Sequence, residues 1–292
     1  MPSPTRARSF VVCGIAYAVA LAVGAATVAA LPDQSPIWRA FWGDVAATCV
    51  IFGFSFAYDN SSFYDAYWSV APIAIGFYWL ATPAGVDGPW LREALALGIL
   101  STWGVRLTWN WARGWTGLDH EDWRYVDKRE QTGRFYWLLS FTGLHMMPTL
   151  LVFAGCLALA PVLLEGGRPF GVLDVAATAL GVTAIALEAT ADNQLRRFRQ
   201  SNPPPEAILD TGLWSLCRHP NYLGEILFWW SLFGFAIAAA PATWWWTGAG
   251  ALSITVLFRV ASLKLIDDRM LARRPDYKRR METTNALIPK FR

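Results

Sequence analysis

Apolar residues in this chain arrive in blocks of about 20, the length a helix needs to cross a hydrocarbon core roughly 30 Å thick. Lipid offers no partners to bare backbone groups, so a crossing segment is a helix or part of a closed barrel, and continuous apolar runs specify helices. With 54% of 292 residues hydrophobic and 16% charged, the balance is that of a polytopic membrane protein rather than a soluble domain. The expected fold class is therefore all-α, with about seven or eight transmembrane helices.

The first run, 10–31, follows Arg6 and Arg8 and has the flanks of a secretory signal peptide. At about 22 residues it exceeds a usual signal core, and further spans follow, so it is read as the first helix. The others are expected at 45–56, 65–80, 91–111, 135–164, 171–191, 222–240 and 242–263. The second and third are short and are separated by Tyr58-Asp59-Asn60-Ser61-Ser62, a tight turn or a re-entrant break, which leaves the count at seven or eight. No internal repeat is visible, and the whole chain, 1–292, reads as a single helical domain whose longest polar loop is 113–134.

Basic residues sort by side. Arg6 and Arg8, five between Arg113 and Arg134, four from Arg196 to Arg218 and nine from Lys264 to Arg292 fall on one side, against Arg39, Arg92 and Arg168 on the other. The positive-inside rule then puts both termini in the cytosol, of a bacterial inner membrane. Arg106 and Arg259 fall within helices, where a guanidinium needs a partner, a cavity or a route to the interface, and Arg259 is the one expected to snorkel. Many of the 17 tryptophans, including Trp111, Trp115, Trp123 and Trp244 to Trp246, stand where interfacial belts form. The net charge of +3 gives no reason to expect nucleic acid as a partner. Cys13, Cys49, Cys156 and Cys217 show neither CxxC spacing nor ligand company, and His120 among Asp119, Glu121 and Asp122 lacks metal-ligand spacing, so no metal is expected.

Polar residues concentrate at the basic side. The spacing of Asp192, Arg196 and Arg199 aligns them on one face of a continuing helix. Paired guanidiniums suit phosphates, and an acid beside them accepts from ribose or amide groups, so a nucleotide is a natural ligand; a topology-setting basic loop is the plain alternative. After Pro203-Pro204-Pro205 and Thr211-Gly212, the chain reads Leu213-Trp214-Ser215-Leu216-Cys217-Arg218-His219-Pro220-Asn221-Tyr222-Leu223-Gly224-Glu225. Pro220 suits the first helical position, and the free N–H groups there attract anions. Asn221 and Glu225 share a face, and a carboxylate at that depth needs a partner. His145, well inside a span, is either functional or a helix-packing hydrogen bond.

Gly212 with Arg218-His219-Pro220-Asn221-Tyr222-Leu223-Gly224-Glu225 resembles the signature shared by membrane steroid 5-alpha-reductases, sterol reductases and isoprenylcysteine carboxyl methyltransferases. Asp192, Arg196 and Arg199 upstream, and Arg274-Pro275-Asp276-Tyr277 with Ile288-Pro289 downstream, extend the likeness over roughly 184–292. The front half, with Asp65, Trp68, Arg106 and Glu121-Asp122-Trp123-Arg124-Tyr125, is similar to the branch catalogued as domain of unknown function 1295.

The resemblance implies NADPH among the cytosolic loops, contacted by Asp192, Arg196, Arg199, Arg218, His219, Asn221, Tyr222 and Glu225. It also implies hydride transfer to an enone in a steroid-like or isoprenoid lipid that enters from the membrane, its carbonyl polarised by a Glu and Tyr pair. The sequence departs from that pattern, with Trp103 near Arg106 where the family Tyr would align. Asp65 with Tyr64 or Tyr67, together with Arg106, are the replacement catalytic candidates; an interfacial polar cap is the plain reading of the first three. Two other classes stand beside the reductase. One is an S-adenosylmethionine-dependent methyltransferase, against which Arg196, Arg199 and Arg218 argue because a sulfonium does not call for guanidiniums. The other is a transporter, which would show paired repeats that are not visible here.

Overall fold

The computed structural model describes residues 5–82 and 88–290, and every regular element among them is helical. Eight long helices are α1 (Arg6–Ala30), α2 (Pro36–Ala57), α3 (Tyr64–Leu80), α4 (Trp90–Gly114), α5 (Trp123–Leu163), α6 (Val172–Gln200), α7 (Pro220–Ala239) and α8 (Pro241–Arg273), followed by the short α9 (Tyr277–Thr283). Six of them, α1, α2, α5, α6, α7 and α8, are long and apolar enough to cross a membrane. The protein is an integral membrane protein. The third helix is 17 residues long and α4 carries Arg92, Glu93, Arg106 and Arg113, so neither meets that standard alone; α3 packs against α2, α4 and α5, and α4 against α3, α6 and α7.

Local chemistry sets the ends. Ser35 caps α2 through Trp38 N–H, with Pro36 at the first position, so α2 begins nine residues before the apolar run at 45–56. The polar stretch after α2 is a tight turn: Asp59 adopts a positive φ of 53° and the Asn60 side chain accepts from Ser62 N–H, opening one 3-10 turn at Ser61–Phe63 that leads into α3. The two short apolar runs are therefore separate helices, which makes eight long helices among the described residues, six of them long and apolar enough to span. The expected loop 113–134 is helical from Trp123, because Asp122 accepts from Arg124 N–H at 2.9 Å and Arg129 is held by Asp59 and Glu121. A π-turn at Ser140–Met146 interrupts α5 and carries His145.

Contacts between helix ends show the chain alternating direction. Arg6 Nη2 donates to Ala112 O, Arg113 Nη2 to Asn193 Oδ1, and Arg218 Nη2 to Asp267 Oδ2, joining the ends of α1, α4, α6, α7 and α8 at one pole, here the basic end. At the opposite pole, Trp79 Nε1 donates to Pro36 O and Arg168 N–H to Ala239 O. The same pole holds a fully buried ion pair. Arg92 grips Asp174 through Nε (2.6 Å) and Nη2 (2.9 Å), donates to Arg168 O and Pro169 O, and Asp174 accepts Gly171 N–H. Every charge in that cluster is paired, as a buried guanidinium requires.

The main core lies among α3 to α8 around Trp79, Trp103, Phe228, Trp229 and Phe235, and a second core joins α1, α2 and α3 around Ile51, Phe63 and Tyr67. His145 packs between α2 and α5, Nδ1 against Ser140 O at 2.9 Å and Nε2 against Ser55 Oγ at 3.0 Å. Both ring nitrogens are satisfied within the bundle, which makes it a helix-packing hydrogen bond.

Candidate functional site

The site grows from the α6–α7 contact at the basic end. Ala177, Gly181, Ala184, Glu188 and Ala191 are buried in one stripe of α6, and all but Glu188 are small residues that let α7 approach closely. Opposite them stands Gly224, where an added Cβ would lie 2.7 Å from Glu188 Cβ and 2.9 Å from Ala184 O. Gly224→Ala is therefore expected to part the two helices and displace Glu188, lowering stability by about 1–3 kcal/mol. Unfolding of the purified variant in detergent checks this, with an unchanged midpoint as the contrary result.

At that contact three carboxylates gather. Arg106 of α4 reaches Glu188 Oε2 at 2.5 Å through Nη2 and Asp192 Oδ2 at 3.0 Å through Nη1. Asn110 Nδ2 also donates to Asp192 Oδ2, and Arg113 clasps Asn110 Oδ1 at 2.6 Å and Asn193 Oδ1 at 3.0 Å. Deeper, Glu225 is held by two indoles rather than a cation, Trp103 Nε1–H donating at 2.9 Å and Trp229 Nε1–H at 2.8 Å. Trp103 is fully buried and stacks on Phe228 at 4.2 Å. The residue that stands where the resemblance would put a tyrosine is thus committed to a carboxylate.

Toward the rim, Asn221 stands beside Asp192 with Oδ1 buried and without a partner among the described residues. Arg199 lies near Asp192 and Arg274, and Arg274 Nε is likewise buried and unpartnered. Neither guanidinium has a carboxylate in salt-bridge contact among the described residues. Tyr222, next along α7, packs its ring edge-on to Phe258 of α8, with Asp122, Arg124 and Asp192 in its electrostatic surroundings. Arg196 is half-buried on the same helix. The structure therefore brings together Arg106, Asp192, Arg199, Asn221, Tyr222 and Glu225.

Arg218 and His219 do other work. Arg218 Nη2 and His219 Nε2 both donate to Asp267, at 2.8 and 2.9 Å, and Tyr277 OH donates to the same carboxylate at 2.8 Å. Arg218 Nη1 also donates to Thr284 O, and the two backbone N–H groups bind Asn285 O and Ala286 O. Burial and the adjacent Asp267 push the Tyr277 phenol above its usual range, so it remains a donor. These residues clamp the C-terminal segment to the start of α7. Gly212 (φ +59°) turns the preceding loop so that Leu213 N–H reaches Gln194 Oε1.

The front-half candidates separate. Asp65 accepts from Tyr125 OH at 2.7 Å and meets Arg124 at 3.5 Å, tying α3 to the start of α5. Tyr64 and Tyr67 point away from it: Tyr64 OH bonds Thr149 Oγ1 at 2.8 Å, and Tyr67 OH donates to Asp44 Oδ1 at 3.3 Å. Tyr67 and Asp44 line a mostly apolar cavity of about 360 Å³ between α1, α2 and α3, shared with Gly24, Ala71 and Tyr78. Sequence reasoning missed Asp44, Glu188, Asn110 and Arg113. The four-residue step from Glu188 to Asp192 was the available signal for one of them, since it repeats the Asn221 to Glu225 step on the facing helix.

The family model described as "Protein of unknown function (DUF1295)" matches residues 51–284. An uncharacterised protein of Schizosaccharomyces pombe is 26% identical over 263 residues, covering 83% of this chain and 76% of the relative. No solved structure matches the chain. The match covers well over half of the sequence, and the protein belongs to the DUF1295 family of proteins of unknown function.

Proposed function

We propose that the basic end holds a phosphate-bearing nucleotide, NADPH, and that the protein reduces a carbon–carbon double bond conjugated to a carbonyl in a steroid-like or isoprenoid lipid. The observation that carries this reading is the pair Arg199 and Arg274, close to each other and to Asp192 but neither in a salt bridge among the described residues, beside the orphaned Asn221 Oδ1. An anion relieves such a pair, and a buried carbonyl oxygen calls for an N–H donor, as an amide supplies. The residues present thus fit a nucleotide with phosphates at the rim and an amide further in. The likeness of the Arg218 to Glu225 string to the membrane reductases agrees with that assignment, and the positive-inside rule puts the basic end in the cytosol, where the cofactor is dissolved.

When bound, NADPH would supply hydride to the β carbon of the enone. The chain's own part is to hold and orient. Arg106 fixes Glu188 and Asp192, and Asp192 holds Asn110 and stands beside Asn221. In this reading the lipid's place is the cavity between α1, α2 and α3, where the Tyr67 hydroxyl, which donates to Asp44 Oδ1, would have to leave that carboxylate to polarise a carbonyl oxygen. Along α3 the next residue, Trp68, packs on Trp103, the indole that holds Glu225.

A charge-assisted hydrogen bond contributes about 1.5–3 kcal/mol and a neutral one about 0.5–1.5, so Arg199→Ala is expected to weaken NADPH binding by roughly tenfold or more and Asn221→Ala by about two- to tenfold, both leaving the fold intact. Unchanged affinity in both variants would remove the site. A second reading, an S-adenosylmethionine-dependent methyltransferase, draws on one observation: Glu188, Asp192 and Glu225 outnumber the cations at the floor of the site, an excess that suits a sulfonium.

A further inference from the structure

A second basic feature lies on the other flank of α7. A cavity of about 520 Å³ opens between α8 and the C-terminal segment, lined by Arg218, Arg259, Lys264, Asp268, Asn285 and Ile288, with Asp267 in its wall. Arg259 sits in a π-turn of α8, Phe258–Ser262, exposed and with no acidic partner among the described residues. The sequence singled it out as an intramembrane cation; the proposed reaction gives it no task.

The charges facing the cavity do not cancel. Asp267 is saturated by Arg218, His219 and Tyr277. Asp268 is paired with Lys264 at 2.5 Å. Three cations against two acids leave one positive charge. Arg218, whose side chain is 9% exposed, lines this space and carries a buried Nε with no acceptor among the described residues. An anion with several acceptor oxygens would offset that excess and pair with Arg259.

The position along α8 says which anion. The preceding stretch, Ala249–Leu257, is apolar, and charged residues begin at Arg259 and Lys264, so the cavity stands where the hydrocarbon core gives way to headgroups. Val256, Val260 and Ile288 are exposed beside it, an apolar flank that suits acyl chains and has no use for a free soluble ion. We propose that this cavity binds the phosphate headgroup of an anionic phospholipid, with its chains along Val256, Val260 and Ile288, and that the bound lipid braces the C-terminal segment against α8. The site is separate from Arg199, Arg274 and Asn221.

The test measures thermal unfolding of the full chain in neutral detergent, titrated with phosphatidylglycerol, phosphatidylcholine or inorganic phosphate. Each basic residue facing an anionic headgroup is worth about fivefold in affinity. Phosphatidylglycerol is expected to raise the midpoint, and Arg259→Gln with Lys264→Gln to weaken that response roughly 25-fold. Lys278→Gln with Arg279→Gln, an exposed pair on α9 outside the cavity, should respond as the unaltered chain does. Equal stabilisation by phosphatidylcholine, full reproduction of the effect by inorganic phosphate, or an undiminished response in the first double variant would each overturn the proposal. Stabilisation by NADPH should be the same in both double variants, so failure here and failure of the nucleotide site are read separately.

Discussion

Arg92→Ala is expected to destabilise the bundle by about 3–5 kcal/mol, the largest effect of any single substitution at the pole opposite the basic end. Arg92 is 0% exposed, and its removal leaves the Asp174 carboxylate, 1% exposed, buried without its cation. The carbonyls of Arg168 and Pro169 would lose their donor at the same time. Arg92→Met combined with Asp174→Leu should recover much of the loss, because replacing both partners of a buried pair by apolar groups strands no charge. Unfolding in mixed micelles under increasing denaturant measures both; a single variant within about 1 kcal/mol of the unaltered chain would contradict the structural role.

The second large effect belongs to Arg106. It is the cation that bridges Glu188 and Asp192, at 2.5 and 3.0 Å. Arg106→Ala is expected to abolish measurable NADPH binding, a loss of 100-fold or more, because two carboxylates at the floor would then repel the nucleotide's phosphates and each other. Arg106→Lys keeps the charge but cannot span both acids in a planar fork, and should retain an intermediate affinity. Calorimetric titration separates the three outcomes, and full binding by Arg106→Ala would show that the cluster is structural.

Much of this arrangement was legible in the sequence because two of its signals are local. Apolar blocks located the spans, and the four-residue steps from Asp192 to Arg196 and from Asn221 to Glu225 located the faces of α6 and α7 that meet. The boundaries moved where caps and polar faces extended a helix beyond its apolar run, as Ser35-Pro36 did for α2 and Asp122 for α5.

What the sequence hid was tertiary. Asp65 was grouped with Tyr64 and Tyr67 by proximity along the chain, but successive helical residues point about 100° apart, so Tyr67 stands on the far side of α3 from Asp65. The partner of Asp65 is Tyr125, 60 residues away, and the partner of Tyr67 is Asp44. Arg218 and His219 occur within the string that looks most like a cofactor motif, yet their acceptor is Asp267, 49 and 48 residues downstream. No spacing rule within the string could reveal that clamp. Glu225 needed a partner at its depth, and it found two indole N–H groups, one of them from Trp103, which the sequence set apart only as the residue standing where the resemblance would align a tyrosine.

The most direct measurement on the cofactor site is the thermal unfolding midpoint of the purified chain with saturating NADPH and, separately, S-adenosylmethionine. A ligand at 100 times its dissociation constant stabilises the native state by about 2.7 kcal/mol, a shift of several degrees for a chain of this size. NADPH is expected to raise the midpoint, with the shift cut to about half or less in Arg199→Ala, while S-adenosylmethionine leaves it unchanged. A shift with S-adenosylmethionine alone would contradict the reductase reading and assign the acidic floor to a sulfonium.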